Sequence, residues 1–399
     1  MTTSDDPRII LKPGREKSLR LRHPWVFSGA IDRVIGDPEA GAMVDLFSAA
    51  GQFLARGAYS PHSQIRVRLC TWEPTERIDR AFLAGRLERA VAGRAALEGD
   101  PLTTAYRLVH AESDGLPGVI VDRYGSFFVL QLLSQGAESW REALIVLLTE
   151  RCNPRGIYER SDVSVRELEG LSLHSGPVWG DEPPAQVEVL EGGRSFLVDL
   201  RQGQKTGAYL DQRENRLCLA PLCAGKEVLD TFTYTGWFAV HAACEGASVV
   251  TGLDSSLDAL ALAAENALRN GVKQRIQWVE GDTFDVLREW RTAGRSFDVV
   301  ILDPPKFASR KSQVSAAARG YKDINLLGMQ LLRPGGLLVT FSCSGHVDAD
   351  LFQKIVFGAS LDAGRDVQIQ ARLSQGSDHP VLLTFPEGAY LKGFLCRVW

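Results

Sequence analysis

Glu227-Val-Leu-Asp-Thr-Phe-Thr-Tyr-Thr-Gly236 opens the stretch of this chain that decides its fold. A short apolar strand, Glu227–Asp230, runs into a turn with one glycine, and a helix near Phe238–Cys244 follows. The next strand, Ser248–Asp254, leads into a helix over Leu257–Asn270, with Ser256 as N-cap and Gly271 as the stop. Beyond it come a strand at Ile276–Glu280, a helix near Asp285–Trp290, a strand at Phe297–Leu302, a helix at Asp323–Leu332 and a strand at Leu337–Phe341. Strands alternating with helical periodicity predict an α/β fold with a parallel sheet and crossover helices. Two last strands, near Val367–Leu373 and Gly393–Trp399, are placed to close the sheet as an antiparallel pair.

The turn after the first strand is not the GxGxxG of dinucleotide enzymes. It has an acid at the strand end in place of a diphosphate cradle. A helix N-terminus with backbone donors from Thr233, Tyr234, Thr235 and Gly236, and no positive side chain, suits a zwitterionic or carboxylate ligand. Asp230 is placed to face an ammonium or sulfonium group. Asp254 ends the second strand, where an acid accepts hydrogen bonds from ribose hydroxyls. Asp282 follows the third, where an acid can accept from an adenine amino group. Each acid alone reads as a helix N-cap. Three at successive strand ends match S-adenosylmethionine, which has an amino acid, a ribose and an adenine. Upstream, Gln204 to Arg213 reads as a flap over this cofactor, with a turn at Thr206-Gly207 and with Tyr209, Asp211 and Arg213 alternating on one face. As a stretch on its own it would read as a surface hairpin.

Two further strand ends carry chemical groups. Phe297–Leu302 runs into Asp303-Pro304-Pro305-Lys306-Phe307, and Leu337–Phe341 runs into Ser342-Cys343-Ser344. In open α/β sheets such ends point into the ligand crevice. A thiol and a carboxylate delivered there suggest covalent catalysis on a planar substrate, with Cys343 as nucleophile and Asp303 holding the substrate's polar edge. The structural alternative is that Cys343 is a small buried hydrophobe. Lys306 is placed to orient a phosphate or tune the thiol, and reads equally as a loop lysine. No residue is assigned as general base.

The chain has 399 residues, 45% of them hydrophobic and 24% charged, with a net charge of −4. That length suggests two or three domains with a sizeable core. The charge excludes a uniformly basic nucleic-acid coat, so any nucleic-acid contact must use a local basic face. Seven scattered cysteines have no CxxC and no metal-ligand spacing. They read as free thiols in a reducing cytoplasm, with no metal site. No stretch has the apolar length of a signal peptide or a membrane span.

Residues 1–74 read as a small β-rich module with strands at Arg8–Lys12, Met43–Phe47, Phe53–Tyr59 and Gln64–Cys70. Its start is locally basic, with Arg15, Lys17 and Arg22 among others, and Trp25 and Phe27 follow at once. Basic groups beside aromatics suit phosphate contact plus base stacking. A solvated charged turn with two core aromatics is the competing reading. Residues 75–185 form a central α/β unit, with helices at Arg80–Leu97 and Glu138–Glu150 and strands at Val119–Asp122 and Phe127–Leu132. Gly176 to Pro184 reads as a linker before the last domain, 186–399.

Taken together, Gly14-Arg-Glu-Lys-Ser18, His23-Pro-Trp-Val-Phe-Ser-Gly29, Gln204 to Arg213, Asp303 to Phe307, Gly320-Tyr-Lys-Asp-Ile-Asn325 and Phe341-Ser-Cys-Ser-Gly345 resemble a known family along nearly the whole chain. It is that of the large-subunit ribosomal RNA 5-methylcytosine methyltransferases of the RlmI type. The resemblance implies an N-terminal RNA-binding PUA domain, a central α/β domain and a C-terminal class I methyltransferase domain with a Rossmann-like sheet. It further implies Cys343 as nucleophile, S-adenosylmethionine as cofactor, a cytosine of ribosomal RNA as substrate, and a homodimer. The wider RNA cytosine-methylating group often has a second Cys beside the proline of its Asp-Pro-Pro position. Here Pro304 and Pro305 stand there without one, so a two-cysteine release step is not available. Three other readings compete: an RNA methyltransferase acting on guanine without thiol catalysis, a small-molecule methyltransferase with an accessory domain, and an RNA-binding assembly factor that does not catalyse.

Overall fold

The computed structural model describes residues 7–308 and 310–399. The chain divides into two bodies. The first comprises residues up to Val189 with Val198–Ala208 and Asp378–Gly388; the second comprises Leu190–Leu197, Tyr209–Ser377 and Ala389–Trp399.

The first body holds two sheets. One has six strands in the spatial order Trp25–Phe27, Ile65–Thr71, Phe53–Tyr59, Met43–Phe47, Arg8–Leu11 and Ile31–Ile35. Its core is an aliphatic cluster that includes Ile9, Leu11, Val44, Leu46, Val67 and Leu69. Alternate residues of Arg8–Leu11 and Met43–Phe47 supply it, the period expected of strands with one buried face. The other sheet has five strands in the order His174–Gly180, Gly156–Ser161, Phe127–Leu132, Val119–Tyr124 and Ala105–His110. Helices Arg80–Ala92 and Arg141–Cys152 bury Leu83, Leu87, Leu144 and Leu148 with it.

Several sequence expectations change here. The helix expected to reach Leu97 ends at Ala92, where Gly93 and Arg94 interrupt it before a short turn at Ala95–Glu98. The Gly- and Pro-dense stretch read as a linker begins as an edge strand, His174–Gly180, paired antiparallel with Gly156–Ser161. Pro177 is tolerated there because an edge strand has one side with no ladder to donate to. Trp25–Phe27, at three residues, is too short to show a period in sequence, and Ile31–Ile35 has three exposed central residues and no alternation.

The second body is built on a seven-stranded sheet: β1 (Glu227–Thr231), β2 (Val249–Asp254), β3 (Ile276–Glu280), β4 (Phe297–Leu302), β5 (Leu332–Ser342), β6 (Val367–Ser374) and β7 (Lys392–Val398). The spatial order is 3-2-1-4-5-7-6. Strands 1 to 5 are parallel, and β7 pairs antiparallel with both β5 and β6. This is the doubly wound arrangement that the alternation predicts, closed by the expected antiparallel pair. The order reverses between β1 and β4, and ligands of such sheets bind at that switch point, beyond the carboxyl ends.

The crossovers are α1 (Trp237–Cys244), α2 (Leu257–Arg269), α3 (Thr283–Thr292), α4 (Val314–Gln330) and α5 (Ala349–Ala363). Ser256 caps α2 as its type predicts, accepting from Ala259 N–H at 3.2 Å. Helix α4 begins nine residues before the expected Asp323. Within it, the ring of Phe307 lies 3.3 Å from where a Gly320 Cβ would stand. The glycine sits there to admit an aromatic side chain. The core of the body includes Leu229, Val300, Leu302, Leu338, Tyr321 and Phe352.

Candidate active site

Five chemical groups expected at the sheet's carboxyl edge are at or next to strand ends. Asp230 is the penultimate residue of β1, Asp254 ends β2 and Asp282 lies two residues beyond β3. Asp303 follows β4 directly, and Cys343 follows β5 directly. Strands β4 and β5 are neighbours, with Leu302 opposite Thr340. The thiol and the carboxylate therefore leave the sheet side by side, and both are partly exposed. Cys343 is not the sealed core residue of the structural alternative, whereas Cys396, on β7, is.

The loops that carry them are tied together. The hydroxyl of the fully buried Ser344 accepts from Ala308 N–H at 3.2 Å and shares a 3.0 Å hydrogen bond with the Tyr321 hydroxyl. One side chain next to the cysteine thus anchors the loop after β4. Gln212, itself buried, donates through Nε2 to Asp303 Oδ2 at 3.0 Å. The Gln212 amide is oriented in turn because its oxygen accepts from Asn215 Nδ2 at 2.6 Å. Burial pushes the Tyr209 hydroxyl well above its usual range, and the charges of Asp303 and Cys343 add to this. Tyr209 therefore stands with the reactive pair as a neutral phenol, its ring edge-on to Tyr234 at 5.7 Å.

The turn after β1 is held under strain. Phe232 and Tyr234 have left-handed φ values of 55° and 49°, and Gly236 has 79°. A Cβ on Gly236 would meet Trp278 at 2.6 Å, and one on Gly252 would meet the same ring at 2.3 Å. Two glycines on adjoining segments thus make room for one indole. The expected row of backbone donors is corrected, because several of them already have partners inside the protein. Thr233 N–H donates to Leu253 O, Gly236 N–H to Thr233 O, and Tyr234 N–H to Asp254 Oδ2 at 2.8 Å. The Thr235 carbonyl accepts from Asn266 at 3.0 Å. The turn encloses the Asp230 carboxylate instead of presenting a nest for an anion.

Asp230 is 1% exposed. Its Oδ2 accepts from the Thr233 hydroxyl and from Ala239 N–H, while its Oδ1 has no partner among the described residues. Burial pushes its carboxyl up to about 7, and the nearby charges of Asp303 and Asp254 contribute. An acceptor atom buried without a donor at the switch point fits a cationic ligand group such as an ammonium. Asp254 accepts from Ser256 N–H as well as Tyr234. Asp282 is exposed and caps α3 through Phe284 and Asp285 N–H, the role an acid before a helix ordinarily takes.

Thr206 departs from the expected flap. It is 0% exposed, its hydroxyl donates to Asp122 at 2.7 Å, and it shares a 2.9 Å hydrogen bond with the Tyr124 hydroxyl. Those contacts lie within the first body and leave no polar atom of that side chain for a cofactor. Tyr209, Asp211 and Arg213 do not alternate on a strand face. Residues Leu210–Gln212 form a 3-10 turn that runs into a helix at Arg213–Leu219. Lys306 is exposed on the loop after Asp303.

In the first body, Arg15 and Lys17 line a groove of about 620 Å³ together with Gly14, Leu21, Trp25 and Phe27. Arg22 is exposed beside the Trp72 ring, 6.0 Å from its centroid. Trp25 is braced: its indole N–H donates to Glu112 at 2.7 Å and its ring meets Phe385 at 4.6 Å. Phe27, 49% exposed, is the freer aromatic surface of the groove.

A family model described as an S-adenosylmethionine-dependent methyltransferase matches residues 174–360, and one described as a PUA-like domain matches residues 9–72. Ribosomal RNA large subunit methyltransferase I of Klebsiella pneumoniae is 52% identical over 399 residues, all of both chains. The chain belongs to the ribosomal RNA large subunit methyltransferase I family. The Escherichia coli member is 51% identical over 98% of this chain and 99% of its own. A crystal structure of a protein assigned as a methyltransferase, complexed with SAH, superposes with a TM-score of 0.87 at 26% identity, over 98% of this chain and 99% of that one. As a member of ribosomal RNA large subunit methyltransferase I, the chain is an S-adenosylmethionine-dependent methyltransferase with a PUA domain. Ser344, Tyr321, Gln212 and Trp278 are the residues of this arrangement that sequence reasoning did not single out. The quoted motifs around Gly320 and Phe341 contain two of them, but nothing in sequence couples Tyr321 to Ser344, 23 positions apart.

Proposed function

We propose that this protein methylates carbon 5 of a cytosine in large-subunit (23S) ribosomal RNA, in the cytoplasm, through a covalent adduct of Cys343. The observation that carries the proposal is the pairing of a partly exposed thiol with a carboxylate at adjacent strand ends beside the switch point. The names of the relatives support the choice of RNA.

Carbon 5 of cytosine is a poor nucleophile. When the Cys343 thiolate bonds to carbon 6, the electrons of the 5,6 double bond become available at carbon 5. The cofactor supplies an electrophilic methyl group. Once carbon 5 carries it, loss of the carbon-5 proton and cleavage of the carbon–sulfur bond restore the double bond and the thiolate. Asp303, oriented by Gln212, is placed to hold the amine and ring-nitrogen edge of the base as charge develops. Asp230 and Asp254 hold the cofactor, the turn Thr233–Gly236 orients these two carboxylates through the Thr233 hydroxyl and the Tyr234 N–H, and Tyr209 and Tyr234 stand beside them. The groove of Arg15, Lys17 and Phe27 supplies phosphate contact and stacking, with Arg22 nearby. The homodimer implied by the resemblance is part of the same proposal, and its mass in solution tests it.

The experiment is a cytosine-methylation map of ribosomal RNA from cells with and without this protein, complemented by the wild type or by Cys343→Ala. One cytosine signal should vanish, return with the wild type and stay absent with the variant. Restoration by Cys343→Ala, or loss of a guanine signal instead, would remove the covalent scheme.

A further inference from the structure

Lys392 begins β7 directly opposite Ser342, the residue before the proposed nucleophile. It is 8% exposed. Its ammonium donates to the carbonyl of Ser344 at 2.7 Å and to the carbonyl of Val347 at 2.5 Å. Among the described residues no carboxylate lies within ion-pair range of it. A buried cation without a counter-ion is costly, and folds keep such groups rarely. Two backbone carbonyls offset part of that cost, but they carry no net negative charge.

Cys343 can supply a negative charge next to the lysine. Cys343 lies between Ser342, which faces Lys392 across the strand pair, and Ser344, whose carbonyl the lysine grips, so a negative charge on its sulfur favours the charged lysine. When the thiol ionises, the lysine gains its counter-ion.

We propose that Lys392 is a positioning residue that stabilises the thiolate of Cys343 and fixes the loop that bears it. The proposal rests on the covalent reading of Cys343 and assigns the source of the thiolate. It explains how a thiol, mostly protonated at neutral pH when unperturbed, is activated where no histidine has been assigned as its base. It also accounts for release, since the same ammonium stabilises the thiolate that leaves carbon 6. The other groups around this pair are Asp303 at the neighbouring strand end, Tyr209 and Tyr321, both phenols whose hydroxyls burial pushes up, and Asp348 and Lys306, which act on the lysine in opposite directions. Burial lowers the Lys392 ammonium to about 8, so it remains largely charged at pH 7.

The test needs no RNA. The full-length protein is treated with iodoacetamide from pH 6 to 10, and alkylation of the Cys343 peptide is followed by mass spectrometry, which separates it from the six other cysteines. An opposite charge at close range lowers a thiol's midpoint by about one to three pH units. Lys392→Met should therefore raise the Cys343 midpoint by at least about one pH unit and slow alkylation at pH 7 about tenfold or more. Lys392→Arg should restore most of the rate. Binding of S-adenosylhomocysteine, measured by calorimetry, should stay within about twofold in both variants, which shows that the fold is kept. A Cys343 midpoint unchanged in a folded Lys392→Met variant overturns the proposal. If Lys392→Met loses the fold, the Arg variant decides: a midpoint moved up with cofactor binding intact would contradict it. If the alkylation result holds while Cys343→Ala still methylates, the lysine–thiol pairing stands and the covalent reading of the reaction falls.

Discussion

Binding of the cofactor's amino acid end should depend on pH through Asp230. Its carboxyl is buried, one oxygen lacks a donor, and its midpoint is pushed up to about 7. A raised carboxyl midpoint means the folded apo-protein binds a proton more tightly than the unfolded chain. The group therefore favours the folded state at low pH, and that advantage is lost as pH rises through 7. A cationic ligand group needs the ionised form, so binding must expel the proton below pH 7. The apparent Kd then rises by a factor of 1 plus the proton occupancy ratio, about 11 at pH 6 and about 1.1 at pH 8. Affinity for S-adenosylhomocysteine should therefore fall about tenfold from pH 8 to pH 6, with roughly one proton released per ligand bound at pH 6. The ligand's own amino group stays charged in this range. Calorimetry in buffers of different ionisation enthalpy measures both quantities. Asp230→Asn should bind more weakly at pH 8 and lose the pH dependence. A flat wild-type profile, or the same slope in the Asn variant, would refute the assignment of Asp230 to the ammonium.

Three other outcomes follow from the structure. Glu191 is fully buried between Arg216, which donates to both its oxygens at 2.6 and 2.7 Å, and His241 at 3.0 Å. These partners hold its carboxyl down at about 2. Its contribution, about 3 kcal/mol by linkage, is present above the ordinary carboxylate range and lost as pH falls toward 2. Glu191→Gln should lower stability in urea by about 3–5 kcal/mol at pH 7, and the gap to wild type should narrow toward pH 3; a gap constant with pH would show that the charge is not what matters. In the PUA groove, Lys17→Ala should weaken RNA binding and reduce the slope of log affinity against log salt by about 1, while Phe27→Ala should weaken binding with the slope unchanged. Equal slopes for wild type and Lys17→Ala would take the lysine off the RNA.

The large sheet was legible because its central strands β1, β2 and β4 are apolar runs bounded by turn residues, and because Asp254, Asp303 and Cys343 stand where strands stop. Strand ends place their groups by local sequence alone. Residues that act through tertiary contact were not legible. Lys392 reads as an ordinary lysine at a strand start, and only the antiparallel pairing of β5 with β7 brings it beside Ser342. Thr206 misled because it lies three residues from Tyr209, yet its partner Asp122 is 84 residues away. The donors of the β1 turn misled for a similar reason: a sequence shows that N–H groups exist but not which carbonyls and carboxylates have already taken them.

The most direct measurement uses ribosomal RNA transcribed with 5-fluorocytidine, incubated with the protein and S-adenosylmethionine. Fluorine at carbon 5 cannot leave as a proton does, so an adduct formed at carbon 6 is trapped. The account predicts a protein–RNA complex that survives denaturant, with the nucleotide attached to the peptide containing Cys343. Full methylation of unmodified RNA with no trapped complex, or attachment at any other cysteine, would contradict it.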